Sequence, residues 1–269
     1  MLGGEDEREL AIGTGFLYLA DDTYFLITNG HNLTGINPES NVRLSKHAAF
    51  PTAIKLMMRC EYKGGELAPI DVPENHIVSI PTTLVMALYE DEEYQVPGWL
   101  IHPMYGYQVD VVAIPMYKKD EVPEGLFLYP INTYGFQGEA EVADDVYILG
   151  YPFGIAMSQT LPVWKRASIA TEPRFDYREL PRLLVDTATR SGMSGSPVVF
   201  MRTGWHGSAN GQLTSDSMLG TITGFVGVYS GRIGGKDEFE AQLGIVWRKE
   251  VIDEILEARV TGTTEFQRV

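Results

Sequence analysis

Short β-type runs, cut by glycine and proline, recur along the whole chain, and they restrict its fold more than any other feature. Thr23–Thr28 reads TYFLIT, Val111–Ile114 reads VVAI and Val146–Leu149 reads VYIL. Leu183–Val185, Pro197–Met201 and Thr221–Tyr229 continue the pattern, and 28 glycines and 15 prolines separate such runs. Strands of this length with regular turn signals predict an all-β sandwich or barrel. Glycines inside strands suit barrel corners. One segment differs. Arg248–Arg259 places Val251, Ile252, Ile255 and Leu256 at helical spacing, which predicts an amphipathic helix packed on the core. The residues after it, TGTTEFQRV, read as a frayed tail. A chain of 269 residues allows one large domain or two small ones. No stretch reads as a clean linker; Lys118–Ala143, rich in glycine, proline and acid, comes nearest.

Composition excludes several function classes. The net charge of −15 disfavours nucleic acid and anionic membranes as partners. The lone cysteine, Cys60, rules out an internal disulfide framework and a cysteine-rich zinc site. The acidic clusters Glu90–Glu93 and Asp144–Asp145 lack the spaced ligands of a calcium loop and read as solvated faces. No metal and no cofactor are expected. No run of 18 apolar residues occurs, so no membrane-spanning helix is expected. The acidic, polar opening Met1–Arg8 lacks the pattern of a secretory signal. That reads as cytoplasmic, or as secreted if a signal was removed upstream.

The strongest chemical feature is Ser191-Gly192-Met193-Ser194-Gly195-Ser196-Pro197, followed by VVF. A serine between glycines before a strand suits a sharp turn that exposes the hydroxyl and gathers N–H groups at one point. Such donors would hold the oxygen of a tetrahedral intermediate. An ordinary turn is the alternative for this segment alone. A serine hydroxyl needs a base. Of five histidines, His31 stands out, because it follows the apolar run Phe25–Thr28 at a strand end. A base needs an orienter, and Asp110 opens the apolar run Val111–Ile114. An acid there demands a partner if it is buried.

The order His31, Asp110, Ser194 is that of the chymotrypsin-type triad. At Gly13-Thr14-Gly15-Phe16, Thr28-Asn29-Gly30-His31, Val109–Ile114 and Gly192–Pro197 the chain resembles the chymotrypsin/trypsin-like serine proteases. Within them it is most similar to bacterial glutamyl endopeptidases. It shares the Ser-Gly-Ser-Pro ending, the Thr-Asn-x-His form and Gly150-Tyr151-Pro152. The likeness runs from about Ile12 to Ile255. It implies a single peptidase domain with two six-stranded antiparallel β-barrels, about residues 10–118 and 143–247, and a C-terminal α-helix over 248–259. It implies a serine endopeptidase acting on polypeptides. Ser194 would be the nucleophile, His31 the base and Asp110 its orienter, with the oxyanion held by the N–H groups of Gly192 and Ser194. Activity that needs neutral His31 should fall as pH drops below about 7.

Three departures qualify the resemblance. Met193 stands where animal digestive proteases carry an aspartate that pairs with a newly cut N-terminus, so that activation route is not available. Tyr229 occupies the place of the specificity-pocket histidine of glutamyl enzymes, while their threonine is retained as Thr189. Arg190 and Arg232 are candidate cations near that pocket, with solvent-facing arginine as the alternative. And 78 residues separate His31 from Asp110, including the strand-like Pro51–Cys60 and Ile77–Tyr89. Extra loops there would narrow substrate choice; Tyr105 and Tyr107 would line the cleft or pack the barrel edge. Two rivals remain: a non-catalytic binding module on the same fold, and an esterase or other acyl hydrolase using the same triad. A protease inside a cell calls for restraint through narrow specificity, a regulatory protein partner or a closed resting pocket. Nothing in the sequence sets the oligomeric state.

Overall fold

The computed structural model describes residues 2–3, 8–44, 49–63, 77–136, 138–155, 161–207, 212–215, 217–232 and 242–268. His47 and His76 lie outside them. The first half carries β1 (Leu2–Gly3), β2 (Arg8–Glu9), β3 (Phe16–Ala20), β4 (Thr23–Thr28), helix α1 (Gly30–Thr34), β5 (Ala53–Lys63), β6 (Ile77–Ala87), β7 (Leu100–Ile101) and β8 (Val112–Lys118). The second half carries β9 (Asp145–Gly150), β10 (Val163–Ile169), β11 (Arg182–Asp186), β12 (Pro197–His206), β13 (Met218–Arg232) and β14 (Leu243–Arg248). Helix α2 (Glu250–Ala258) and β15 (Val260–Thr261) follow. Every strand pair is antiparallel.

Six strands of the second half close on themselves in the order β10-β11-β14-β13-β12-β9. Among the described residues the first half forms two sheets rather than one closed barrel. One has five strands, β15-β7-β8-β4-β3, and one has four, β2-β1-β5-β6. The long stretch between His31 and Asp110 is the reason. Its two strand-like runs pair with each other over their full length, from Ala53↔Ala87 to Lys63↔Ile77, and not with β4 or β8.

Alternation along the strands builds three cores. Phe25 and Ile27 of β4 face one cluster while Leu26 faces another. On β8 Ala113 joins Phe25, and Val112 and Ile114 join Leu26. The same period of two splits β12, whose Val198 and Phe200 meet Val146, Ile148 and Val246 inside the ring, while Val199 points outward. The outward residues and the five-stranded sheet share one core with Val251, Ile252, Ile255 and Leu256 of α2, all buried. Burying each such side chain stabilises the fold by about 1.5–3 kcal/mol.

Over its described residues the tail is docked rather than frayed. After α2, β15 pairs with β7, and Gly262 N–H donates to the Trp99 carbonyl at 2.8 Å. Phe266, buried, packs against Trp99 and Tyr107. The polar letters of this segment carry no periodicity, so its order comes from strand pairing and one aromatic anchor.

Candidate active site

His31 sits in the first turn of α1, just after β4, and Asp110 lies two residues before β8. Because β4 and β8 are paired neighbours, with Thr28 opposite Val112, the two residues meet. His31 Nδ1 lies 2.6 Å from Asp110 Oδ2, and the His31 backbone N–H donates to Oδ1 at 2.8 Å. A carboxylate only accepts, so Nδ1 carries the proton and Nε2 is left with its lone pair. Asp110 is 1% exposed, which would be costly without partners. Ser230 Oγ supplies another, donating to Oδ2 at 2.5 Å from the second half. Asn29 Nδ2 fixes the Asp110 carbonyl at 2.6 Å. At Gly30 a Cβ would come within 3.3 Å of Asp110 Oδ1, so glycine lets α1 approach the carboxylate.

Burial opposes the charged form of His31, but the Asp110 charge and hydrogen bond outweigh it, and the pKa is raised above the ordinary 6.5. A raised folded-state value means that the protonated histidine adds stability in full below about pH 6.5, and that this is lost as pH rises through the folded value. The urea midpoint of the protein minus that of His31→Gln should therefore shrink as pH rises above 6.5. A difference that is flat with pH would contradict the pairing.

The serine segment folds as two successive turns. Met193 N–H donates to the Arg190 carbonyl, and Ser196 N–H to the Met193 carbonyl. The third residue of each turn is a glycine with positive φ, +94° at Gly192 and +87° at Gly195. That matches type II geometry, which needs glycine there. Every carbonyl from Arg190 to Ser194 is occupied. Phe153 N–H holds that of Ser191 at 2.8 Å, and Thr14 Oγ1 holds that of Gly192 at 2.7 Å. Thr14 N–H, at 2.8 Å, and Asn32 Nδ2, at 3.2 Å, both hold that of Ser194. Among the described residues, the N–H groups of Gly192 and Ser194 donate to no backbone acceptor. In a trans peptide N–H and C=O point opposite ways. The Gly192 N–H is therefore aimed away from Phe153.

Asn32 is the neighbour of His31, so its amide ties the Ser194 backbone to α1. No hydrogen bond joins the Ser194 hydroxyl to the His31 ring among the described residues. Met193 is buried in the ring core beside Val198 and Tyr229. Thr189 and Tyr229 come together. Both are buried, their hydroxyls are hydrogen-bonded, and burial pushes the Tyr229 phenol up to about 12. Arg190 and Arg232 are exposed. Tyr105 packs on His102. His102 is buried and anchors α2 through Glu254 at 2.6 Å.

Thr14, Asn32 and Ser230 were not singled out as site residues from sequence. Their only signal was proximity to the quoted motifs, because a hydroxyl or an amide in a strand or turn has no distinctive spacing. Among the described residues no group of three or more histidine, cysteine, aspartate or glutamate side chains is placed to hold a metal. Among the described residues no helix is long and apolar enough to cross a membrane. No protein-family model and no curated protein matches the chain. Among solved structures the chain is similar to the Rv3671c protease in its inactive form. The identity is 16% over 91% of this chain and 82% of that chain, with a TM-score of 0.39.

Proposed function

We propose that the chain is a serine endopeptidase of the chymotrypsin type, folded as one peptidase domain. The observation that carries the reading is the buried Asp110 carboxylate against His31 Nδ1 at 2.6 Å, on an element whose next residue, Asn32, ties down the Ser194 backbone. In this reading Ser194 Oγ attacks the carbonyl carbon of a peptide bond as His31 Nε2 takes its proton. The carbonyl oxygen becomes an oxyanion and moves between the free N–H groups of Gly192 and Ser194. His31 then protonates the leaving amine as the C–N bond breaks, which leaves an acyl ester on Ser194. Water attacks that ester with His31 again as base, and the acid product departs. Asp110 holds the ring and stabilises its charged form, and Ser230 holds Asp110. Because the reaction needs neutral His31, kcat/KM should rise with pH through a value above 6.5 and then level off.

The test is labelling by a fluorophosphonate, which reacts with an activated serine whatever the natural substrate. We expect the protein to label, and Ser194→Ala and His31→Ala, still folded by circular dichroism, not to label. Absence of labelling in well-folded protein would sink the reading in favour of a binding module. Labelling together with hydrolysis of activated esters, but of no peptide in a diverse library, would favour an acyl hydrolase.

A further inference from the structure

We infer that the pocket beside His31 is a subsite for a lysine or arginine side chain of the substrate, with Glu265 as its charged anchor; this rests on the peptidase reading and names part of its substrate chemistry. A pocket of about 430 Å³ opens beside His31, within the ~300–1,000 Å³ of ordinary ligand sites. Tyr107 and the returning tail, through Glu265 and Phe266, form one side of it. The tail holds that position by its pairing with β7, by the buried Phe266 ring, and by the Tyr107 hydroxyl donating to the Thr263 carbonyl at 2.8 Å.

Apart from His31, the charged lining is acidic. Its ionisable acids are Asp110 and Glu265, and it contains no lysine or arginine among the described residues. Asp110 is committed, because its two oxygens accept from His31 and Ser230. Glu265 is exposed and forms no hydrogen bond or ion pair among the described residues, so its charge is open to an incoming cation. Tyr107 and Phe266 stand edge to face, 5.9 Å apart, beside it. Aromatic lining residues beside an exposed carboxylate suit a side chain with an apolar stem and a positive head. An acidic side chain would meet like charge there, in a molecule that already carries −15.

The experiment reads binding and not turnover, in the Ser194→Ala protein. Short peptides carry one arginine at successive positions, and each is compared by calorimetry with a twin bearing uncharged citrulline. At one position the arginine peptide should bind about tenfold tighter than its twin. Glu265→Gln should erase that difference and leave the citrulline peptide's affinity unchanged. Glu265→Lys should reverse the preference towards glutamate at the same position. The inference is overturned if no arginine peptide outbinds its twin, or if the difference survives in Glu265→Gln. Failure of the peptidase reading would show separately, as absence of fluorophosphonate labelling in the unsubstituted protein.

Discussion

On the proposed reading, Asp110→Asn should lower kcat for peptide hydrolysis about 10⁴-fold, with KM and the fold little changed. The cause is the count of acceptors. Oδ2 accepts from both His31 Nδ1 and Ser230 Oγ, and Oδ1 accepts from the His31 N–H. An asparagine has one oxygen and one NH₂ for the same three donors. If its oxygen keeps the backbone N–H, its NH₂ faces Nδ1. The ring then turns to the tautomer with its proton on Nε2, where the serine needs a base. Steady-state rates on one peptide, with a urea midpoint taken alongside, check this. A loss of less than about tenfold would mean that Asp110 does not set the tautomer.

Gly192→Ala should lower kcat by about 10²–10³-fold, the size found when one oxyanion donor is lost. Two features act together. A Cβ at Gly192 would lie 2.4 Å from the Tyr151 carbonyl oxygen and 3.0 Å from the Phe153 nitrogen, both backbone atoms that cannot swing aside. A φ of +94° is also one that side chains rarely adopt. The turn must therefore rotate, and its N–H would leave the proposed oxyanion position. Substrate binding depends on other surfaces, so kcat should fall far more than KM rises. Fluorophosphonate labelling should slow in parallel, because it too places negative charge on oxygen. An equal loss in both kinetic parameters, or none, would remove Gly192 from the site.

What could be read from residues alone follows physical lines. The apolar run Thr23–Thr28 became a strand with those bounds because alternate residues serve two cores, a pattern written into six consecutive letters. Asp110 was legible because an acid at the head of a buried run needs a partner. Thr14 was not legible as a clamp. Its hydroxyl bonds a carbonyl 178 positions away, and no local pattern records such a bond. Ser230 reaches Asp110 across 120 positions in the same way. Tyr229 could be placed near Thr189, but the packing of its ring against Gly244 depends on how β13 and β14 lie side by side. The two-sheet first half was hidden because β5 and β6 carry strand signals that do not say which partner each will take. The docked tail was hidden for the opposite reason, since a two-residue strand has almost no signal of its own.

The clamp at Thr14 has a consequence for the life of the molecule. Both groups that shape the serine turn from outside its own half, Thr14 and Asn32, lie near the start of the chain, and the turn itself lies beyond residue 190. A polypeptide still leaving the ribosome has those groups but no turn for them to grip, and its first half still lacks α2 and β15. A second half folded alone would leave the carbonyls of Gly192 and Ser194 free to rotate. On the proposed reading, hydrolytic competence therefore needs both halves together, because the groups that grip the turn and the turn itself come from opposite ends of the described residues. A fragment without the first half carries the serine turn in an unarmed form.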